Sequence, residues 1–89
     1  MATAPFSPGR GRALTSPKPA AQLVDELLAR YVEWREDAAA VADAHGRWRA
    51  APAAERAVAF AAYRAAVDQE ESAAAAYAAA VDALRATGA

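Results

Sequence analysis

Two apolar stripes with a seven-residue period leave this chain little freedom in how it folds. Val24, Leu27, Tyr31, Trp34, Ala38, Val41, His45 and Trp48 follow one another at alternating gaps of three and four. From Arg56 onward so do Phe60, Tyr63, Val67, Glu70, Ala74, Tyr77, Val81 and Leu84. This spacing keeps every member on one side of a helix wound at about 3.5 residues per turn, which is the seam by which long helices pack together. Ala51-Pro52-Ala53 separates the stripes. The pattern therefore predicts an all-α fold, a two-helix antiparallel hairpin that is coiled-coil-like and alanine-rich. Its helices run over about residues 19–50 and 52–86, each on the order of 45 Å long.

Folding about Ala51-Pro52 brings Val24 level with Val81, Leu27 with Tyr77, Tyr31 with Ala74, Trp34 with Glu70, Ala38 with Val67, Val41 with Tyr63 and His45 with Phe60. Large side chains then meet small or medium ones. Arg47 and Arg49 complement the negative end of the first helix, Glu55 the positive start of the second, and Arg85 its finish before Gly88. Gly46 is the weak point of the first helix. Glu26/Arg30 and Asp43/Arg47 have the acid-before-base spacing that favours ion pairs along an exposed helix face.

One stripe per helix does not cover everything apolar. Leu23, Leu28, Val32, Val58 and the alanines Ala59, Ala62, Ala66 and Ala73 are expected to stay wet in an isolated hairpin. The hydrophobic fraction of 56% overstates the burial available, because about a third of the residues are alanine. A chain of 89 residues has a thin stability margin. A homodimeric four-helix bundle with close, alanine-mediated helix approach is therefore expected.

Residues 1–19 differ from the rest. They hold four of the five prolines, two glycines, and Arg10, Arg12 and Lys18 with no acid. This composition sustains neither a helix nor a core, so the segment is expected to be a flexible, basic, irregular arm preceding a hairpin domain over residues 20–89. Phe6, Arg10, Arg12 and Leu14 are its candidate partner-docking residues, and Trp48, beside the turn, is another. The hairpin carries seven arginines against eleven carboxylates, which argues against a broad nucleic-acid face. No run of about 20 large apolar residues exists to span a membrane. The first residues lack the charged and apolar regions of a leader, so cytoplasmic residence is the default.

The side chains offer little chemistry. Cysteine is absent and His45 is the single histidine. Disulfides, thiolate sites and histidine-rich metal centres are thereby excluded within one chain. Ferritin-like bundles place Glu-x-x-His motifs inward. Here Ala42 precedes His45 by three residues, and Glu33-x-x-Glu36 points away from the seam. Ser72 lacks a paired base, and Asp68, Glu70 and Glu71 point in different directions around one helix. No enzymatic activity, cofactor or metal is expected. Glu70 is the sharpest anomaly, a carboxylate in the seam level with Trp34. It either accepts from the Trp34 indole N–H, with the Tyr31 hydroxyl nearby, and sets register, or it reaches water past its alanine neighbours. Tyr31, Trp34, Tyr63, Glu70 and Tyr77 are the candidate interface and register residues. His45 either packs or titrates near neutrality.

The stretches Tyr31-Val-Glu-Trp-Arg-Glu and Ala57-Val-Ala-Phe-Ala-Ala-Tyr-Arg-Ala-Ala-Val-Asp-Gln-Glu-Glu resemble those of short actinobacterial helical-hairpin proteins. The resemblance covers about Leu23 to Val81, and it implies the fold without an activity. The chain also resembles, more distantly, the small helical hairpins exported by type VII secretion, which carry Trp-x-Gly at the turn where this chain reads Trp48-Arg49-Ala50. Hairpin dimers that organise RNA pairs have a similar fold but need a basic stripe, and only Arg10 and Arg12 of the arm could contact phosphates. The expectation is a non-catalytic structural or adaptor subunit acting through self-association and protein–protein contacts, with a larger protein partner bound through the arm. A secreted type VII-like hairpin is the alternative, and a nucleic-acid-binding regulator using the basic arm a lesser one.

Overall fold

The computed structural model describes residues 18–88. Helix α1 spans Ala20–Ala50, a single 3-10 turn covers Ala53–Glu55, and helix α2 spans Arg56–Arg85. The two helices pack antiparallel along their length, and no strand occurs among the described residues. The all-α hairpin read from the stripes is the observed fold. Helix α1 starts at Ala20, close to the expected start at about residue 19, and the docking residues Phe6, Arg10, Arg12 and Leu14 lie outside the described residues.

Proline and glycine set the helix ends. Pro19 precedes α1 with ψ 150°, and its carbonyl accepts the first helical bond from the Leu23 N–H at 3.1 Å. Pro52 is extended at ψ 159° and cannot continue α1, so the chain reverses there. The Glu55 N–H then donates to the Pro52 carbonyl at 2.9 Å, and the Arg56 guanidinium donates back to the Ala51 carbonyl at 3.3 Å. The turn is thus longer than an Ala-Pro pair, and α2 begins four residues later than its expected start at about residue 52. Gly88, at φ 80°, takes up the left-handed conformation just past α2.

The seam is narrower than its sequence stripes. Leu23, expected to be wet, is the one buried residue among the described residues, at 9% exposure, while Val24 of the stripe is 39% exposed. Phe60 of the stripe is likewise 38% exposed, and its neighbour Ala59 is half-buried. Both shifts lie near a helix start and have one cause. A straight α-helix drifts by about 20° per heptad against a 3.5-residue repeat, so over two heptads the inward position moves back by one residue. Ala66, Ala73 and Ala80 are half-buried because the position just before the stripe borders the seam along the whole of α2, and Leu28, Val32 and Val58 are exposed as expected.

Gly46 neither breaks nor ends α1, which continues to Ala50. A methyl at this position would meet nothing within 4 Å. Gly46→Ala is therefore expected to stabilise the hairpin by about 1 kcal/mol, through helix propensity alone. In a thermal melt followed by circular dichroism this should appear as a rise of roughly 4–8 °C.

Candidate interaction surface

The helices are joined by rings. Trp34 of α1 stacks on Tyr77 of α2 with centroids 5.4 Å apart and planes 14° from parallel. Trp48 stacks on Tyr63 with the same separation and the same angle. The two tryptophans are two heptads apart, and so are the two tyrosines, so the antiparallel arrangement repeats one contact at two levels. Tyr31 completes the first cluster, 5.6 Å from Tyr77 and 6.1 Å edge-on from Trp34. His45 and Phe60 complete the second, at 5.3 Å from Tyr63 and 4.9 Å from Trp48 respectively.

These pairs correct the register expected from the turn. Tyr31 meets Tyr77 where Ala74 was expected, and His45 meets Tyr63 where Phe60 was expected. Helical side chains lean toward the N-terminus of their own helix. In an antiparallel pair they therefore lean in opposite directions, and tips that touch come from positions about one turn beyond those whose backbones are level. Aromatic rings accordingly meet rings, and the expected alternation of large with small does not describe the two clusters. Trp48, the candidate docking residue beside the turn, is half-buried among Phe60, Tyr63 and His45.

Glu70 lies on α2 midway between Tyr63 and Tyr77, one heptad from each. The Trp34 Nε1–H donates to its Oε2 at 2.7 Å, as the register assignment of Trp34 and Glu70 required. The carboxylate is half-buried, so one oxygen is held by the indole while the group keeps access to water. The two alternatives weighed for Glu70 both hold in part. Four of the register residues, Trp34, Glu70, Tyr77 and Tyr31, form one cluster, and Tyr63 belongs to the other.

The hairpin presents two broad faces. One is floored by alanine and carries two open grooves. The groove of 590 Å³ next to the turn is lined by residues including Ala44, Arg47, Ala51, Val58 and Ala62. The groove of 430 Å³ at the far end is lined by Glu26, Arg30, Ala76, Ala79, Ala80 and Ala83. The opposite face carries Val24, Leu28, Tyr31 and Phe60, all exposed, with the Arg64 guanidinium 6.0 Å from the Phe60 ring centroid. Sequence reasoning placed Val24, Tyr31 and Phe60 in the seam and so missed this face. The heptad drift was the signal that could have found it.

The ion pairs differ from expectation at one point. Asp43 and Arg47 pair at 2.8 Å, whereas Arg30 turns to Glu33 at 3.4 Å. Glu26 instead accepts from the Lys18 Nζ at 2.9 and 3.1 Å and from the Gln22 amide at 3.4 Å. Among the described residues no group of three or more His, Cys, Asp or Glu is placed to hold a metal ion. None of the described helices is long and apolar enough to cross a membrane.

Glu70→Gln keeps an acceptor oxygen but removes the charge behind the short bond. The variant is expected to lose about 1 kcal/mol in denaturant unfolding and to move the Trp34 indole proton upfield in NMR spectra. The Lys18 hydrogen bond holds the Glu26 carboxyl below the usual carboxylate range, outweighing a small opposing effect of desolvation, with smaller help from the Lys18 charge, Gln22 and Arg30. A depressed carboxylate pKa contributes stability above the unfolded-state value that is lost as pH falls through the folded one. In a carbon-13 NMR titration the Glu26 midpoint should therefore lie below the usual glutamate value, and Lys18→Ala should move it upward. No protein-family model, no curated protein and no solved structure matches this chain, so its own geometry carries the functional argument.

Proposed function

We propose that this chain is a small, non-catalytic structural or adaptor subunit that works by self-association and protein–protein contact. The observation that carries this reading is the shortage of burial. Leu23 is the one residue in the buried class among the described residues, and no side chain there is fully buried. Val58 is 75% exposed, Leu28 53% and Val32 51%. Val58 lines the groove beside the turn and Leu28 lies on the opposite face, so both sides of this small body expose apolar groups suited to contact. Nothing among the described residues pairs a nucleophile with a base, and the grooves are open and walled largely by methyl groups. In this reading the chain is cytoplasmic, forms a dimeric four-helix bundle, and reaches a larger partner through Phe6, Arg10, Arg12 and Leu14.

A second reading, an exported helical hairpin, draws on Trp48 standing one turn ahead of the chain reversal at Pro52. Recovery of the protein from culture filtrate without cell lysis would favour it over the cytoplasmic one.

Sedimentation equilibrium on the full-length chain tests self-association directly. A dimer is expected at micromolar concentration, with helicity rising as the dimer forms. A folded monomer across that range would end the proposal.

A further inference from the structure

The exposed apolar side chains and the arginines of the hairpin share a face. Val24, Leu28, Tyr31 and Phe60 lie opposite the alanine grooves. By heptad position Arg35 and Arg49 of α1 and Arg64 and Arg85 of α2 flank them, with Glu71 the single carboxylate among these flanking positions. Arg35 and Glu71 stand at the same level. Each directly follows a member of the hydrogen-bonded Trp34–Glu70 pair, which places the two within about 3 Å of one level along the hairpin. Arg35 and Glu71 are both exposed, and neither has an ion-pair partner among the described residues. Each stands on the outer flank of its own helix, with the seam between them.

We infer that this face is covered by a second copy of the chain, related by a two-fold axis running along the hairpin. Helix α1 of each copy then lies over the partner's α2, and Arg35 pairs with Glu71 of the partner subunit. The pairing occurs twice, once on each side of the axis. The same operation sets Leu28 over Ala78 of the partner subunit, Arg49 over Ala57 of the partner subunit and Arg64 over Ala42 of the partner subunit. Long side chains meet methyl groups and no arginine meets an arginine. Applied to the alanine face, the operation would set the charges of α1 opposite uncharged residues of α2, so no ion pair there selects a register. The area also fits. A face roughly 45 Å long and about 18 Å wide offers roughly 800 Å² per copy, the amount a specific interface needs.

This inference rests on the self-association proposed above, and its test keeps the two apart. Dimer dissociation is measured by sedimentation velocity for full-length wild type, Arg35→Glu, Glu71→Arg and the double exchange, with circular dichroism confirming that each is helical. Each single exchange places like charges at both symmetric contacts and is expected to weaken the dimer at least about tenfold, and the double exchange is expected to restore it. The chain has no cysteine, so an equimolar mixture of Leu28→Cys and Ala78→Cys proteins can be oxidised without background. A disulfide joining the two different variants should predominate. A wild-type dimer that ignores both single exchanges and gives no preferred mixed disulfide would overturn the face while leaving self-association intact. A monomeric wild type would overturn both.

Discussion

Stacking of tryptophan on tyrosine across the two helices is the interaction on which the rest of this molecule depends. Alanine dominates the chain and contributes little burial per side chain, so the large rings of Trp34, Tyr77, Trp48 and Tyr63 supply most of the apolar contact between α1 and α2. Each stacked pair adds about 0.5–1.5 kcal/mol beyond the area it removes from water. Their placement matters as much as their strength. Two contacts of identical geometry, set roughly 21 Å apart along the helices, fix both the angle and the sliding of one helix on the other, which a single contact would leave free. Glu70 sits between them and locks the outer pair through the Trp34 indole, so the polar seam residue serves the same register as the rings.

Gathering the rings along one line leaves the two faces of the hairpin unlike each other. On the alanine side the helix surfaces are flat and the grooves are shallow and open. On the other side the drift of the heptad stripe turns Val24 and Phe60 outward beside Leu28 and Tyr31. An acidic body thereby displays a locally basic, apolar surface, because four of its seven arginines flank that side. Overall charge conceals this, since the carboxylates of the hairpin lie mostly on its back and on the alanine side. The polarity of the faces, more than the net charge, decides what the hairpin can meet.

The same economy limits stability. Two helices of 31 and 30 residues joined by a short turn form one layer, and a layer has no interior. Folded domains ordinarily close a core between layers. Under the proposed self-association the second layer comes from another copy, and folding margin is then linked to association. The proposed structural role fits such a design, because the surfaces left uncovered are the ones offered to a partner.

The amino-acid sequence by itself determined the helices, their ends apart from the start of α2, and their antiparallel pairing, because heptad periodicity, Pro19, Pro52 and Gly88 act locally and independently of the fold. It also identified Trp34 and Glu70 as partners, since both lie near the seam axis, where the direction of lean matters least. What only the tertiary structure decided was which rings touch and which apolar residues face out. Tyr31 meeting Tyr77, Trp48 being packed, Leu23 being buried and Phe60 being exposed all depend on the lean of side chains in opposed helices and on angular drift along a nearly straight rod. The drift is implicit in the heptad spacing of each helix, but which rings meet is a property of two helices placed in space.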